Sequence, residues 1–364
     1  MSKARELLLV SSNLPPEVGG PAKFTSEFAT WLIRQGVTYS VITTRAEDKD
    51  ISQNILNVTS ISRKQNILFR FFRTSILMSK LGHGKPALVN GLFYEALISH
   101  LLLNFKFIAK VPSDIVWDRA RNQGKTTLSV DKFQDNERGF YRIQRWFYTK
   151  SLKAAEKVIV PSKHLGELVS NWGIEKDRII LVRNSQIIPS KAIALNPTVD
   201  VISVGRLIPL KGNSELISVC AKLGYSLRIL GDGPEESELR ILASKLGTKV
   251  EFLGSLTFTE VLSQVNQSRV FALNSAHEGS PNALIEAMAQ GSVCVVRANP
   301  GTIELIDDLE TGILVGKTRN LEEALKMAMM DSNLRQKVGA GAHLFAKKEL
   351  NQDVNFKRIL ELCE

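Results

Sequence analysis

This 364-residue chain has no unbroken apolar run of roughly 18 residues, so no membrane-spanning helix is expected. Its opening, Met1 to Glu6, leads straight into Leu7 to Val10, a run too short for a secretory signal and without a cleavage site. Cysteine is scarce. Cys220, Cys294 and Cys363 are odd in number, far apart and in no metal or redox motif, which suits a reducing compartment. Low-complexity tracts, short-period repeats and an RNP-like aromatic run are also missing, which excludes a disordered chain and gives no nucleic-acid module. These absences point to a cytoplasmic globular protein, and its length allows two domains, each with its own core.

Charge is present but uneven. Residues 1–190 carry 28 Lys+Arg against 16 Asp+Glu, a net of +12, while the remainder carries 19 against 21, a net of −2. Two halves so different meet different partners. The basic half favours an acidic one, either an anionic membrane leaflet or a phosphate-bearing substrate.

Short β-rich runs alternate with helical stretches along the whole chain. Strands are expected at Leu7–Ser12, Thr38–Thr43, Val58–Ile61, Ala87–Asn90, Phe107–Val111, Val158–Pro161 and Ile179–Val182, with helices at Pro21–Gln35, Tyr94–Leu103, Gly139–Ala155 and Leu165–Asn171. The rhythm restarts after Asn196-Pro197, with strands at Val201–Val204, Ser226–Leu230, Val250–Leu253, Arg269–Leu273, Val293–Val296 and Gly312–Val315. This pattern predicts an α/β fold of two parallel sheets, with units over 1–190 and 191–349. Ligand then belongs outside the strand carboxyl ends, in a cleft where the sheets face each other.

The segment Glu278-Gly279-Ser280-Pro281-Asn282-Ala283-Leu284-Ile285-Glu286 sets two carboxylates on either side of a loop-to-helix junction. Ser280 is the expected N-cap, Pro281 the first helical residue and Gly291 the stop. Either amides at this helix start take an anion and the carboxylates accept from hydroxyls, which together describe a nucleotide sugar, or this is a plain helix with an N-terminal charge at Glu278 and an exposed Glu286. Four more strand-end features accompany it. Arg206 and Lys211, in Gly205-Arg206-Leu207-Ile208-Pro209-Leu210-Lys211-Gly212, can flank a diphosphate or simply face solvent. Gly231-Asp232-Gly233-Pro234 is a sharp turn that lets backbone approach a ligand, or an ordinary turn. Leu253, in Glu251-Phe252-Leu253-Gly254, offers backbone to a base edge or is a buried strand end. Gly19 and Gly20, in Pro15-Pro16-Glu17-Val18-Gly19-Gly20-Pro21, make an amide-lined anion site before a helix.

With these motifs in this order, the chain resembles a family 4 retaining glycosyltransferase of the GT-B class over nearly its whole length. Thr311-Gly312-Ile313-Leu314-Val315, Val160-Pro161-Ser162 and Asn184 extend the match, with Ser185 standing where relatives carry glycine. The resemblance implies two Rossmann-like domains facing a cleft and a C-terminal helix (350–364, around Val354 to Leu362) crossing back onto the first. It further implies that Arg206 and Lys211 hold the donor diphosphate, Glu278 touches donor-sugar hydroxyls and Glu286 the ribose. Front-face displacement without a protein nucleophile and without a metal or other cofactor follows from the same likeness. Many relatives place a histidine after the strand at Phe107–Val111. Here the chain reads Lys110-Val111-Pro112-Ser113-Asp114-Ile115-Val116-Trp117-Asp118-Arg119-Ala120-Arg121, and Asp114 either takes the acceptor proton or caps the following turn.

The expected reaction moves a hexose-type sugar from a nucleotide-diphosphate sugar to a glycan or lipid-linked acceptor in cell-envelope polysaccharide or glycolipid synthesis. A sugar-nucleotide epimerase and a silent nucleotide-sugar-binding protein are the alternatives. Arg63-Lys64-Gln65-Asn66-Ile67-Leu68-Phe69-Arg70-Phe71-Phe72-Arg73, continuing to Lys80, either lies on the inner membrane face or is a buried amphipathic helix with snorkelling cations.

Overall fold

The computed structural model describes residues 6–17, 19–46, 55–192, 197–316 and 318–364. Met1 to Arg5, Val18 of the first glycine loop and Asn196 of the expected break lie outside the described residues. The chain divides into two compact units, Met1–Val182 with Phe356–Glu364, and Arg183–Asn355. The expected boundaries were 190 and 350. Segment 183–190 joins the second unit because Gln186 pairs with Leu350 and Gln352 through its backbone, and Arg183 lies 3.2 Å from Glu304.

In the first unit the elements run β1 (Glu6–Ser11), α1 (Gly20–Arg34), β2 (Thr38–Arg45), β3 (Val58–Ser62), α2 (Ile67–Gly82), β4 (Ala87–Asn90) and α3 (Phe93–Leu103). They continue with β5 (Ile108–Lys110), α4 (Ile115–Asn122), α5 (Val130–Asp135), α6 (Phe140–Ala154), β6 (Val158–Val160), α7 (Lys163–Asn171) and β7 (Ile179–Leu181). The sheet is parallel in the order β3-β2-β1-β4-β5-β6-β7, so the strand order reverses between β1 and β4. Buried on both faces, the strands are nearly continuous apolar runs, and alternate residues feed two cores. Leu7, Leu9, Leu88, Ile108 and Ile159 meet α1, while Leu8, Val10, Val89, Ala109 and Val160 meet the layer containing α2, α3 and α6.

The second unit holds β8 (Val199–Val204), α8 (Asn213–Leu223), β9 (Leu227–Leu230), α9 (Glu236–Lys245), β10 (Val250–Gly254), α10 (Phe258–Asn266) and β11 (Ser268–Leu273). It goes on through α11 (Asn282–Gln290), β12 (Cys294–Arg297), β13 (Ile313–Val315), α12 (Leu321–Met330) and α13 (Ser332–Glu349). Its parallel sheet runs β10-β9-β8-β11-β12-β13, with the reversal between β8 and β11. Helix starts are set locally: Thr257 with Glu260 and Asn320 with Glu323 form capping boxes on α10 and α12. The last helix, α14 (Gln352–Cys363), returns the chain to the first unit, where Phe356 packs among Phe24, Phe28 and Trp31. Among the described residues no helix is long and apolar enough to cross a membrane.

Candidate active site

The carboxyl edge of the second sheet is zipped together loop by loop. Gly205 N donates to Leu230 O at 3.0 Å, Leu207 N to Asp232 O at 2.9 Å, and Gly231 N to Gly254 O at 2.7 Å. The contacts require glycine. A Cβ at Gly231, whose φ is +119°, would lie 2.2 Å from Gly205 O, and one at Gly233 the same distance from Leu207 O. Gly231 and Gly233 therefore shape this edge, while Leu253 sits half-exposed on the edge strand β10.

At the reversal between β8 and β11, two loops meet. Asn274 Nδ2 donates to Gly212 O at 2.9 Å and Ala276 N to Leu210 O at 2.8 Å, drawing 209–212 onto 274–278. Lys211 Nζ consequently lies 2.5 Å from Glu278 Oε1, with both side chains mostly shielded. The turn at Asn299 to Thr302 supports the pair from beyond: Asn299 Nδ2 donates to Ser275 O, and a Cβ at Gly301 would come within 2.1 Å of Glu278 O. Arg206 is exposed, and among the described residues its guanidinium has no partner. That cation is available to a ligand. Arg297, which donates to Asn274 Oδ1 at 2.9 Å, and Asn299 were missed in the sequence; the Asn299-Pro300-Gly301 turn was the available signal.

The helix that follows begins one residue later than expected. Pro281 is the N-cap, with ψ 102°, and its carbonyl takes the first helical bond from Ile285 N at 3.1 Å; Ser280 lies outside the helix. Proline still suits the position because an N-cap amide has no intrahelical acceptor. The amides of Asn282, Ala283 and Leu284 form the first turn and are the ones that can meet an anion, next to Gly279 and Ser280. The Leu284 side chain is fully buried in the core, so only its backbone can serve. Glu286 is 8% exposed, and Gln186 Nε2 donates to its Oε1 at 3.4 Å. Asn184 Nδ2 likewise reaches Asn282 Oδ1 at 3.2 Å, so the 184–186 segment fixes the start of α11. Spacing alone does not show that contact.

In the first unit Gly19, with φ +154°, is the N-cap of α1, and Gly20 opens the helix with nothing near its missing Cβ. Of the two readings of Asp114, the structure describes the cap. Asp114 is the N-cap of α4, accepting from Val116 N at 3.0 Å and Trp117 N at 3.2 Å through Oδ1. Its Oδ2 accepts from Gln134 Nε2 at 2.9 Å and pairs with Arg145 at 2.5 Å, and the residue is 3% exposed. Both carboxylate oxygens are therefore engaged by groups of the first unit itself. Asp118 differs: burial pushes its carboxyl up to about 6, against the Ser113 hydroxyl that donates to it.

Two parallel-sheet Rossmann-like units, one with this carboxyl-edge site, define the GT-B class. The chain belongs to the family 4 glycosyltransferases: residues 18–185 match the model Glycosyltransferase Family 4, and 186–344 match Glycosyl transferases group 1. Among relatives, the lipopolysaccharide core biosynthesis glycosyltransferase LpsE of Rhizobium meliloti is 34% identical over 39% of this chain and 43% of its own length. A GDP-mannose-dependent monoacylated alpha-(1-6)-phosphatidylinositol monomannoside mannosyltransferase of Corynebacterium glutamicum is 21% identical over 100% of this chain and 99% of its own. For LpsE and two further glycosyltransferase relatives the chain spans 43%, 44% and 58% of their lengths, about half. Among solved structures, Anabaena HepE in complex with UDP and glucose has a TM-score of 0.76 at 17% identity, covering 98% of this chain and 99% of that one. At that identity the likeness is one of fold.

Proposed function

We propose that the protein is a retaining glycosyltransferase that moves a hexosyl group from a nucleotide-diphosphate sugar to a glycan or lipid-linked acceptor of the cell envelope. The observation that carries this is the Lys211–Glu278 pair at the strand-order reversal, with Arg206 exposed in the loop that leads to Lys211 and α11 capped at Pro281, three residues after Glu278. Arg206, Lys211 and the helix start then neutralise the departing diphosphate, a role that removes the need for a divalent ion. Glu278 is released from Lys211 when phosphate arrives and accepts from sugar hydroxyls, while Glu286 accepts from the ribose. The C1–oxygen bond to the diphosphate breaks with its electron pair leaving on the nucleotide, the acceptor oxygen bonds C1 on the same face, and the acceptor proton passes to the departing phosphate. HepE was solved with UDP and glucose, and the Corynebacterium relative is named for a GDP-mannose donor and a lipid acceptor; both support a nucleotide-sugar donor here.

A membrane surface is the partner proposed for the first unit. Arg63 is engaged elsewhere, 2.8 Å from Glu17 and donating to Ser12 O. The neighbouring helix α2, however, turns Ile67, Leu68, Phe69, Phe72 and Ile76 outward. It packs on α3, which packs on α6, so the three form one layer. This layer carries 12 of the 24 large apolar side chains exposed among the described residues, the rest of the set being Leu101–Leu103, Phe140, Ile143, Trp146 and Phe147. Arg73, Lys80, Arg142 and Lys150 are exposed on the same helices, which expose no Asp or Glu. Apolar, aromatic and cationic groups exposed together on one helical layer suit an anionic bilayer.

The deciding experiment incubates the protein with UDP-, GDP- and ADP-sugars and follows nucleotide release with and without acceptor glycans. Acceptor-dependent release with the anomeric configuration kept supports the reading. An isomerised free sugar nucleotide means an epimerase, and binding without turnover means a silent protein.

A further inference from the structure

The carboxyl edge of the first sheet carries a polar pair outside the donor-site constellation. β4 and β5 are in register at Leu88 with Ile108 and Val89 with Ala109, so one step further sets Asn90 beside Lys110, roughly 4.8 Å apart in the backbone. Ser11 pairs with Asn90 from the other side. These residues share the sheet face that α1 covers, and Lys110 is 4% exposed and Asn90 1%.

Lys110 Nζ stands 4.3 Å from the centre of the Phe24 ring in the first turns of α1. Among the described residues no oxygen accepts from it. Asn90 Nδ2 donates to Pro21 O at 3.3 Å and Thr25 Oγ1 at 3.4 Å. The Pro21 carbonyl can only accept, which turns the amide nitrogen toward it and leaves Asn90 Oδ1 buried without a partner. Both groups therefore lie under the α1 start that Gly19 and Gly20 open. Burial holds the Lys110 ammonium down at about 8, the expected cost of a desolvated cation with no counter-ion.

Neighbouring positions of β4 and β5 thus carry an acceptor without a donor and a donor without an acceptor. A hydroxyl is both at once. A phosphate or carboxylate oxygen would satisfy Lys110 but set its charge against Asn90 Oδ1, so the pair favours a neutral hydroxyl. We propose that Lys110 and Asn90 form a subsite for a hydroxyl of the acceptor sugar, whose oxygen accepts from Lys110 Nζ while its proton goes to Asn90 Oδ1. The proposal rests on the transferase reading, with the first unit on the acceptor side.

Lys110→Met keeps the stem and removes the charge, and Asn90→Asp supplies a carboxylate that pairs with Lys110 and closes the subsite. Methyl glycosides of glucose, galactose, mannose and N-acetylglucosamine are titrated against the full chain by ligand-observed NMR, and uridine diphosphate by calorimetry. At least one glycoside is expected to bind the wild type and to weaken about tenfold in each variant, with uridine diphosphate affinity unchanged. Equal glycoside affinities, no glycoside binding by the wild type, or a parallel loss of uridine diphosphate binding overturns it. So does a lowered melting temperature in both variants with both probes lost, which makes the pair a packing element. Failure of the transferase reading is distinct: the wild type then turns over no sugar nucleotide, whatever the glycosides do.

Discussion

Lys211 Nζ and Glu278 Oε1, 67 residues apart in sequence, meet at 2.5 Å where the second sheet reverses its strand order. Each is the counter-charge of the other until a ligand supplies phosphate for the lysine and hydroxyls for the glutamate. Removing the lysine alone leaves a shielded carboxylate facing incoming phosphate. Lys211→Ala is therefore expected to lower donor turnover by about 10²-fold or more, and Glu278→Gln to spare nucleotide binding while lowering turnover. Steady-state kinetics with uridine diphosphate competition separates the two. Near-normal transfer by Lys211→Ala removes it from the site.

Asp114 gives a second test because its two readings part cleanly. Asparagine caps a helix about as well as aspartate but turns an NH2 toward Gln134 and Arg145, so Asp114→Asn should cost about 1–3 kcal/mol and, if the residue is structural, leave the turnover of the folded protein largely intact. Asp114→Ala abandons two backbone donors and one partner of Arg145, and should cost about 2–4 kcal/mol in denaturant unfolding. A large loss of turnover in folded Asp114→Asn would mark it as the base.

The Asp118 carboxyl is raised to about 6 from 3.8, so the folded state binds its proton more tightly than the unfolded chain does. Stability contributed by the protonated form is present at low pH and declines as pH rises from about 4 to 6. Above that the ionised group stays a burden. Asp118→Asn should raise stability at pH 7.5 by of order 1–3 kcal/mol, with the difference closing near pH 4. Urea unfolding at both pH values checks it; an equal or opposite difference at pH 7.5 contradicts it.

Gly231→Ala should be among the most damaging single-methyl changes. Its Cβ would sit 2.2 Å from Gly205 O at a φ of +119°, so the zipped loops have to part. A loss of about 2–4 kcal/mol is expected, with nucleotide binding lost as well. Gly279→Ala, which meets nothing within 4 Å, is the control and should keep its stability.

For the membrane face, sedimentation with phosphatidylglycerol vesicles is the measurement. Replacing Arg73, Lys80, Arg142 and Lys150 with glutamine should weaken binding by about two orders of magnitude or more, since each basic group contributes about 1 kcal/mol near an anionic surface. Trp146→Ser with Phe72→Ser should weaken it further on the same vesicles. Binding that ignores both sets sinks the assignment.

The strands were legible because parallel strands covered on both faces must be apolar runs, and such runs punctuated by glycine leave few alternatives. The loop glycines were legible too, as were Lys211 and Glu278 singly. Their contact was not, because it depends on Asn274 holding Gly212 across 62 residues. The partners of Asp114 were hidden for the same reason: Gln134 and Arg145, which fill its second oxygen, lie 20 and 31 residues downstream. Asn90 and Lys110 become neighbours only through the order β1-β4-β5, which no local pattern encodes.

Phe356 sits among Phe24, Phe28 and Trp31, so the core on the α1 side of the first unit is completed by residues that follow the whole second unit in the chain. On the ribosome, that apolar patch stays uncovered while the entire 183–355 segment is translated. The first unit is thus begun before the second and sealed after it. Chains stalled before Phe356 should expose its aromatic partners to chaperones, and expression at lower temperature should help this protein more than one whose domains close in order.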